Sequence, residues 1–228
     1  MQHLSNVLLR IVVMLPILLF SLVIHEVAHG YAAYLMGDPT AKRFGRLTLD
    51  PLAHLDPLGT LMMVWTLVTG YGIGWAKPVP VDFRNFRNIR LGAIAVGIAG
   101  PLANILLALL FSMPFRYALL AYAQGGGSPY LAGVLAGAIV VNLSLAAFNL
   151  LPIPPLDGSR VVLGLLRGRL AFYYAQLEKY GMFILLMLVL LGWLWRLVFP
   201  IVSFLGPLIM RWTGVPFQWV WITYGALL

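Results

Sequence analysis

No cysteine occurs among the 228 residues of the chain. Its absence excludes disulfide staples, a cysteine nucleophile and any thiolate metal site. Acidic residues are scarce too. Seven Asp and Glu stand against fifteen Lys and Arg, and the only glutamates are Glu26 and Glu178. With four histidines in the chain, candidate metal ligands reduce to a few His, Asp and Glu side chains. Internal repeats, low-complexity tracts and an appended polar domain are also missing. The lack of repeated halves argues against a transporter with a His and Asp ion path.

Apolar residues are abundant. The chain is 61% hydrophobic and 10% charged, with several runs of about 20 apolar residues, the pattern of an all-α polytopic membrane protein. A net charge of +8 could suggest nucleic acid. In a membrane protein basic loops are the ordinary mark of the cytoplasmic side, so the bilayer, not nucleic acid, is the partner implied. The first apolar run, residues 7–36, contains the main motif of the chain and reads as a retained helix rather than a cleaved signal.

That motif is His25-Glu26-Val27-Ala28-His29-Gly30. On a helix, residues four apart fall within roughly 40° on one face, so His25 and His29 can hold one metal ion, ordinarily zinc. Glu26 points about 100° away, near enough to reach a water at the metal without ligating it, and is the candidate general base. A catalytic zinc needs a third protein ligand. Asp157, just after the proline break Pro152-Ile153-Pro154-Pro155, is the candidate at membrane depth. Its alternative role is to cap the helix beginning near Gly158. His54 is the rival ligand, with a turn-stabilising role as its own alternative.

Taken in order, residues 7–36 form a helix ending at Gly37-Asp38-Pro39, and residues 40–57 form a polar stretch with room for a short strand. Residues 58–75 are apolar but short, and broken by Gly59, Gly70, Gly72 and Gly74. Val79 and Val81 beside Pro78 and Pro80 suit an edge strand. Spans are expected at 91–115, 131–151 and 181–199, with an amphipathic piece at 159–179 and a Trp-rich tail cut by Pro207, Gly214 and Pro216. If residues 58–75 are re-entrant and the N-terminus lies outside, then His25, His29 and Asp157 approach the cytoplasmic leaflet together. The basic loops are then cytoplasmic, as the positive-inside tendency requires.

With these residues in place, the chain resembles the site-2 protease family of intramembrane zinc metalloproteases, in its short prokaryotic branch without PDZ or CBS domains. His25 to Gly30 resembles the zinc helix of the family, and Asn149 to Gly158 resembles its Asn-Pro-Asp-Gly motif. Ala99-Gly100-Pro101-Leu102-Ala103-Asn104 resembles the start of its middle core helix. The runs Gly37 to Lys42 and Gly74 to Val81 are similar to the short branch, and Asp50 stands where that branch would have Asn. The resemblance covers about residues 7–160. It implies a single membrane domain over 1–228, with a catalytic core at 7–160 and accessory helices at 161–228. It also implies one zinc per chain on His25, His29 and Asp157, Glu26 as base, and Asn149 with Asn104 as substrate contacts. The function implied is peptide-bond hydrolysis in or near transmembrane segments of membrane proteins, in a multi-pass cell-membrane protein. An inactive, chaperone-like homologue is the alternative within the same fold.

Overall fold

The computed structural model describes residues 2–69, 72 and 74–227. Helix α1 (Gln2–Leu35) carries the His-Glu-x-x-His motif. It stops at Gly37, whose φ of +110° suits glycine alone, and the Gly37 and Asp38 N–H groups donate back to Tyr34 and Ala33 carbonyls. The polar stretch expected to hold a strand folds instead into two short helices, α2 (Thr40–Arg43) and α3 (Pro51–His54). The cause at α3 is local. Pro51 takes the first turn, and the Asp50 carboxylate accepts from the Leu52 N–H.

Helix α4 (Pro57–Thr69) has 13 residues, about 20 Å against a hydrocarbon core of roughly 30 Å. The returning chain lies against it. A Cβ at Gly59 would stand 2.1 Å from the Trp75 carbonyl oxygen, and one at Gly74 would stand 2.1 Å from Met63. Lys77 N–H then donates to the His54 carbonyl at 2.8 Å, so both ends of this apolar segment meet. Of its four glycines, Gly70 lies outside the described residues. Residues 74–82 run extended but pair with no strand among the described residues, so the expected edge strand is an arm without a ladder. Prolines 78 and 80 have no N–H to give a ladder.

Several bonds pin this arm. Arg46 donates to the Lys77 carbonyl at 2.8 Å, and Val79 N–H donates to Glu26 Oε2 at 2.8 Å. Asp82 N–H donates to Asp38 Oδ2 at 2.8 Å. Asp38 is fully buried and also accepts from Thr40 and from Asn85 Nδ2.

After a 3₁₀ turn at Phe83–Asn85 comes α5 (Ile89–Ala123), longer than the expected 91–115, and then α6 (Pro129–Asn149). The expected amphipathic piece forms two helices, α7 (Asp157–Leu165) and α8 (Gly168–Gln176). The span expected at 181–199 is divided. Helix α9 (Glu178–Leu190) ends at Gly192, with φ +68°, where the Gly192 and Trp193 N–H groups close on Val189 and Leu188. Spanning length is reached one element later, in Leu194–Thr213, made of α10 (Leu194–Met210) and a 3₁₀ turn. Pro207, expected as a break, lies inside it, since apolar bundles tolerate proline. Helix α11 (Gln218–Leu227) closes the described chain.

Among the described residues, four helices are long and apolar enough to cross a membrane: Ile11–Leu35, Ile89–Ala123, Pro129–Asn149 and Leu194–Thr213. Helix α5 packs against α1, α6 and α7, and small buried residues of α6 such as Ala132, Gly133, Ala136 and Gly137 allow the close approach. Phe115, Ile139, Leu143, Val202 and Val220 fill the main core between α5, α6, α10 and α11.

Burial pushes the Asp38 carboxyl up, but hydrogen bonds from Thr40, the Asp82 N–H and Asn85 outweigh it and hold it below its ordinary 3.8. A depressed folded value means that the stabilisation is present above pH 3.8 and is lost as pH falls through the folded value. Asp38→Asn turns one acceptor into a donor facing donors, a cost of about 1–3 kcal/mol. Thermal unfolding in micelles should show a lower melting temperature for the variant at pH 7. The gap should narrow in acid, below pH 3.8; a gap independent of pH contradicts this account.

Candidate metal centre

His25 and His29 lie one turn apart on α1 and are each 4% exposed, while Asp157 opens α7 and is 6% exposed. The sequence separates Asp157 from His25 by 132 positions, yet His25 Nε2 and Asp157 Oδ2 are 3.1 Å apart. His29 Nε2 lies 3.0 Å from the same oxygen and 2.9 Å from His25 Nε2. Among the described residues, this is the cluster of His, Asp and Glu donors able to hold a metal ion.

Glycines create the approach. A Cβ at Gly100 of α5 would stand 2.5 Å from His25 Cε1 and from His29 Nε2. One at Gly97 would stand 2.8 Å from the Asp157 carbonyl oxygen, and one at Gly158 2.3 Å from that of Leu150. Any side chain at these positions would push α1, α5 and α7 apart. None of the three glycines was a candidate from the sequence. Gly100 and Gly158 lay within recognised motifs, but steric need leaves no mark in a single sequence.

The second nitrogen of each ring is also engaged. His29 Nδ1 is 2.7 Å from the Val96 carbonyl, which can only accept, so Nδ1 carries the proton and Nε2 presents its lone pair. His25 Nδ1 is 2.6 Å from Asn104 Oδ1. The Asn104 amide nitrogen donates to the Ser21 carbonyl and to Asn142 Oδ1, which orients its oxygen toward His25. In the neutral tautomer that these Nδ1 bonds select, two nitrogen lone pairs and a carboxylate oxygen face one another. A cation relieves that repulsion. Ligand atoms around a tetrahedral zinc are about 3.3–3.4 Å apart, only slightly wider than the 2.9–3.1 Å here. The donor set fits zinc, and the bonds at Nδ1 are of the kind that hold ligating histidines in place.

Glu26 is half-buried, and its Oε2 accepts the Val79 N–H of the extended arm. Gly30 gives that arm room, because a Cβ there would stand 2.9 Å from Val79 Cγ1. Asp157 makes no capping bond; Leu156 is the N-cap, and the carboxylate is committed to the histidines. Arg160 Nη1 stands 3.5 Å from Asp157 Oδ1. His54 is not in the cluster. It is buried on α3 with Nε2 2.9 Å from the Thr48 carbonyl, a turn-stabilising contact. Asn104, expected beside a substrate, is fully buried behind His25 with its amide spent on protein groups. Asn149 is half-buried and turns its amide nitrogen back on the Leu145 carbonyl of its own helix. Asn142 and Ser21, which complete the network behind His25, were missed because a polar residue in an apolar run carries no label of its partner.

Fold and site together define a polytopic helical membrane protein with a buried two-histidine, one-aspartate donor set. Comparison with known proteins takes this further. The profile described as peptidase family M50 matches residues 127–192. YwhC of Bacillus subtilis (strain 168), provisionally named a zinc metalloprotease, is 42% identical over 178 residues, covering 75% of this chain and 77% of YwhC. Rip2 of Mycobacterium tuberculosis (strain H37Rv), named in the same provisional way, is 31% identical over 188 residues, covering 79% and 69%. Rip2 of Mycolicibacterium smegmatis is 28% identical over 192 residues, covering 82% and 72%. No solved structure matched. The chain belongs to peptidase family M50, the site-2 protease family.

Gly100→Ala places a methyl group within the donor set. Chelator competition should show zinc held at least about tenfold more weakly, the lower end of the loss seen when support of a ligand is disturbed. Ala99→Gly, one residue away, should leave zinc affinity near wild type. Unchanged affinity in Gly100→Ala contradicts the close packing.

Proposed function

We propose that the protein is an intramembrane zinc metalloprotease that hydrolyses peptide bonds in or near transmembrane segments of membrane proteins, one zinc per chain. The observation that carries this reading is the convergence of His25 Nε2, His29 Nε2 and Asp157 Oδ2 within 3.1 Å of one another, one residue from Glu26. The family membership and the membrane-length helices support it.

His25, His29 and Asp157 would hold the metal, with residues 7–160 carrying the chemistry of a single membrane domain. Zinc, when bound, supplies the Lewis acidity that polarises a carbonyl and makes water more acidic. Glu26 takes the proton from the attacking water as its oxygen adds to the scissile carbonyl carbon. The same carboxylate then returns the proton to the amide nitrogen as the C–N bond breaks, leaving a carboxylate and an amine. The Val79 N–H holds Glu26 Oε2 in place and leaves Oε1 to move the proton. Asn104 and the Val96 carbonyl keep both imidazoles turned toward the site. A helical substrate hides its carbonyls in i→i−4 bonds, so the segment must unwind before attack. The extended arm at 74–82 would offer a backbone edge for it, and the Asn149 side chain, just before the proline break, would contact it.

In this reading α4 is re-entrant in a cell membrane, the N-terminus is outside, and the site opens near the cytoplasmic leaflet. The basic residues Lys42, Arg43, Arg84, Arg87, Arg167 and Arg169 then share the cytoplasmic side.

The test is co-expression of wild type or Glu26→Gln with a library of tagged single-span membrane proteins, with products read by mass spectrometry. Cleavage inside or beside spans by wild type is expected to fall by at least about 100-fold in Glu26→Gln, while zinc stays bound. Equal cleavage by both removes Glu26 from the mechanism. No cleavage of any span, with zinc bound, favours the chaperone-like homologue instead.

A further inference from the structure

The metal-site reading leaves unused the segment that delivers Asp157. Helices α7 and α8 have nine residues each, about 14 Å apiece and far too short to cross a bilayer. Their large apolar side chains nonetheless face outward. Leu165, Leu170, Phe172 and Tyr173 are all more than 60% exposed, and α8 has no buried residue. Such short helices, apolar on one side and flanked by arginines, belong in the interface between headgroups and acyl chains.

The inner side of α7 is firmly seated. Gly97 and Gly164 let it press on α5, and Arg90 Nη2 donates to the Leu165 and Leu166 carbonyls at 3.3 and 3.0 Å, closing the end of the helix. Two adjoining cavities of about 440 and 420 Å³ share Arg90 and Leu163. Arg160 lines the first and Arg167 the second, while Phe83, Ile89 and Leu166 supply apolar wall. Arg90, Arg160 and Arg167 line this groove against the acid Glu178, and Arg160 also stands 3.5 Å from Asp157 Oδ1. An amphiphile with an anionic head matches both the charge and the apolar wall.

We propose that the α7–α8 hairpin is a docking site for an anionic phospholipid of the surrounding bilayer, with the phosphate among Arg90, Arg160 and Arg167 and an acyl chain along Leu163. Because Asp157 is the first residue of α7, a lipid that steadies the hairpin also steadies that carboxylate against the histidines. This second consequence rests on the metal-site reading; the lipid site itself does not.

The test uses the full chain, with phosphatidylglycerol and phosphatidylcholine as probes. Native mass spectrometry should show preferential retention of phosphatidylglycerol, by roughly fivefold for each guanidinium in contact. Arg167→Gln/Arg169→Gln should lose at least about fivefold of that preference, while Lys42→Gln/Arg43→Gln, exposed basic residues that line neither cavity, should keep it. In nanodiscs containing phosphatidylglycerol, wild type should hold zinc a few-fold more tightly than in phosphatidylcholine alone, and the Arg167/Arg169 variant should not. Equal retention of both lipids overturns the site. So does equal loss in both double variants, which would mean that general basic charge attracts the lipid. Displacement of the lipid by a soluble acidic peptide would mark the groove as a peptide site and overturn the lipid assignment. A chain that binds no zinc would sink the hydrolase reading yet leave lipid retention to decide this proposal.

Discussion

The structure depends on one constraint: three electron-pair donors held about 3 Å apart in a buried interior. Two imidazole nitrogens and a carboxylate oxygen repel one another unless a cation lies among them. Around them sit glycines with no room for a Cβ unless a neighbour shifts. Gly100 vacates the space against which both rings lie, and Gly97 and Gly158 let the backbone of α7 come within contact of α5 and of the end of α6. The Val96 carbonyl and Asn104 fix which nitrogen of each ring is free. Asn142 and Ser21 in turn fix which end of the Asn104 amide faces His25. The tautomer of one histidine is thus set by a chain of buried polar side chains, Ser21, Asn104 and Asn142, drawn from α1, α5 and α6.

The fold supplies this constraint by folding a long separation into a short one. Small residues along α5 and α6 bring the backbones close, as they do wherever helices pack without a hydrophobic difference between lipid and side chain. The prolines after α6 then turn the chain so that Asp157 begins a new helix at the depth of the histidines. On the other side, an extended arm pinned by Asp38 and Glu26 lies beside the site. The same carboxylate assigned the proton transfer is therefore a structural anchor for that arm.

Much of this was visible in the sequence because it is written in short-range patterns. Four-residue histidine spacing, Gly37 after an apolar run, and prolines before Asp157 each have a local cause and appeared as expected. Long apolar runs gave the membrane class, although the fourth span fell at 194–213 and not at 181–199. Hydropathy does not register a glycine turn, and Gly192 divides a run whose one charged residue is Arg196. In place of the strand expected in residues 40–57 stand α2 and α3, the second started by Asp50-Pro51. The steric role of Gly100 and the partnership of Asn104 with Asn142 depend on which helix lies opposite. No local pattern carries that.

Zinc content of the full chain purified in detergent tests the central claim most directly, with wild type measured beside His25→Ala and Asp157→Ala. The account predicts about one zinc per wild-type chain under metal-replete conditions and loss or marked weakening in both variants. A wild type without zinc, or an Asp157→Ala protein that holds it as tightly as wild type, would contradict the three-residue centre.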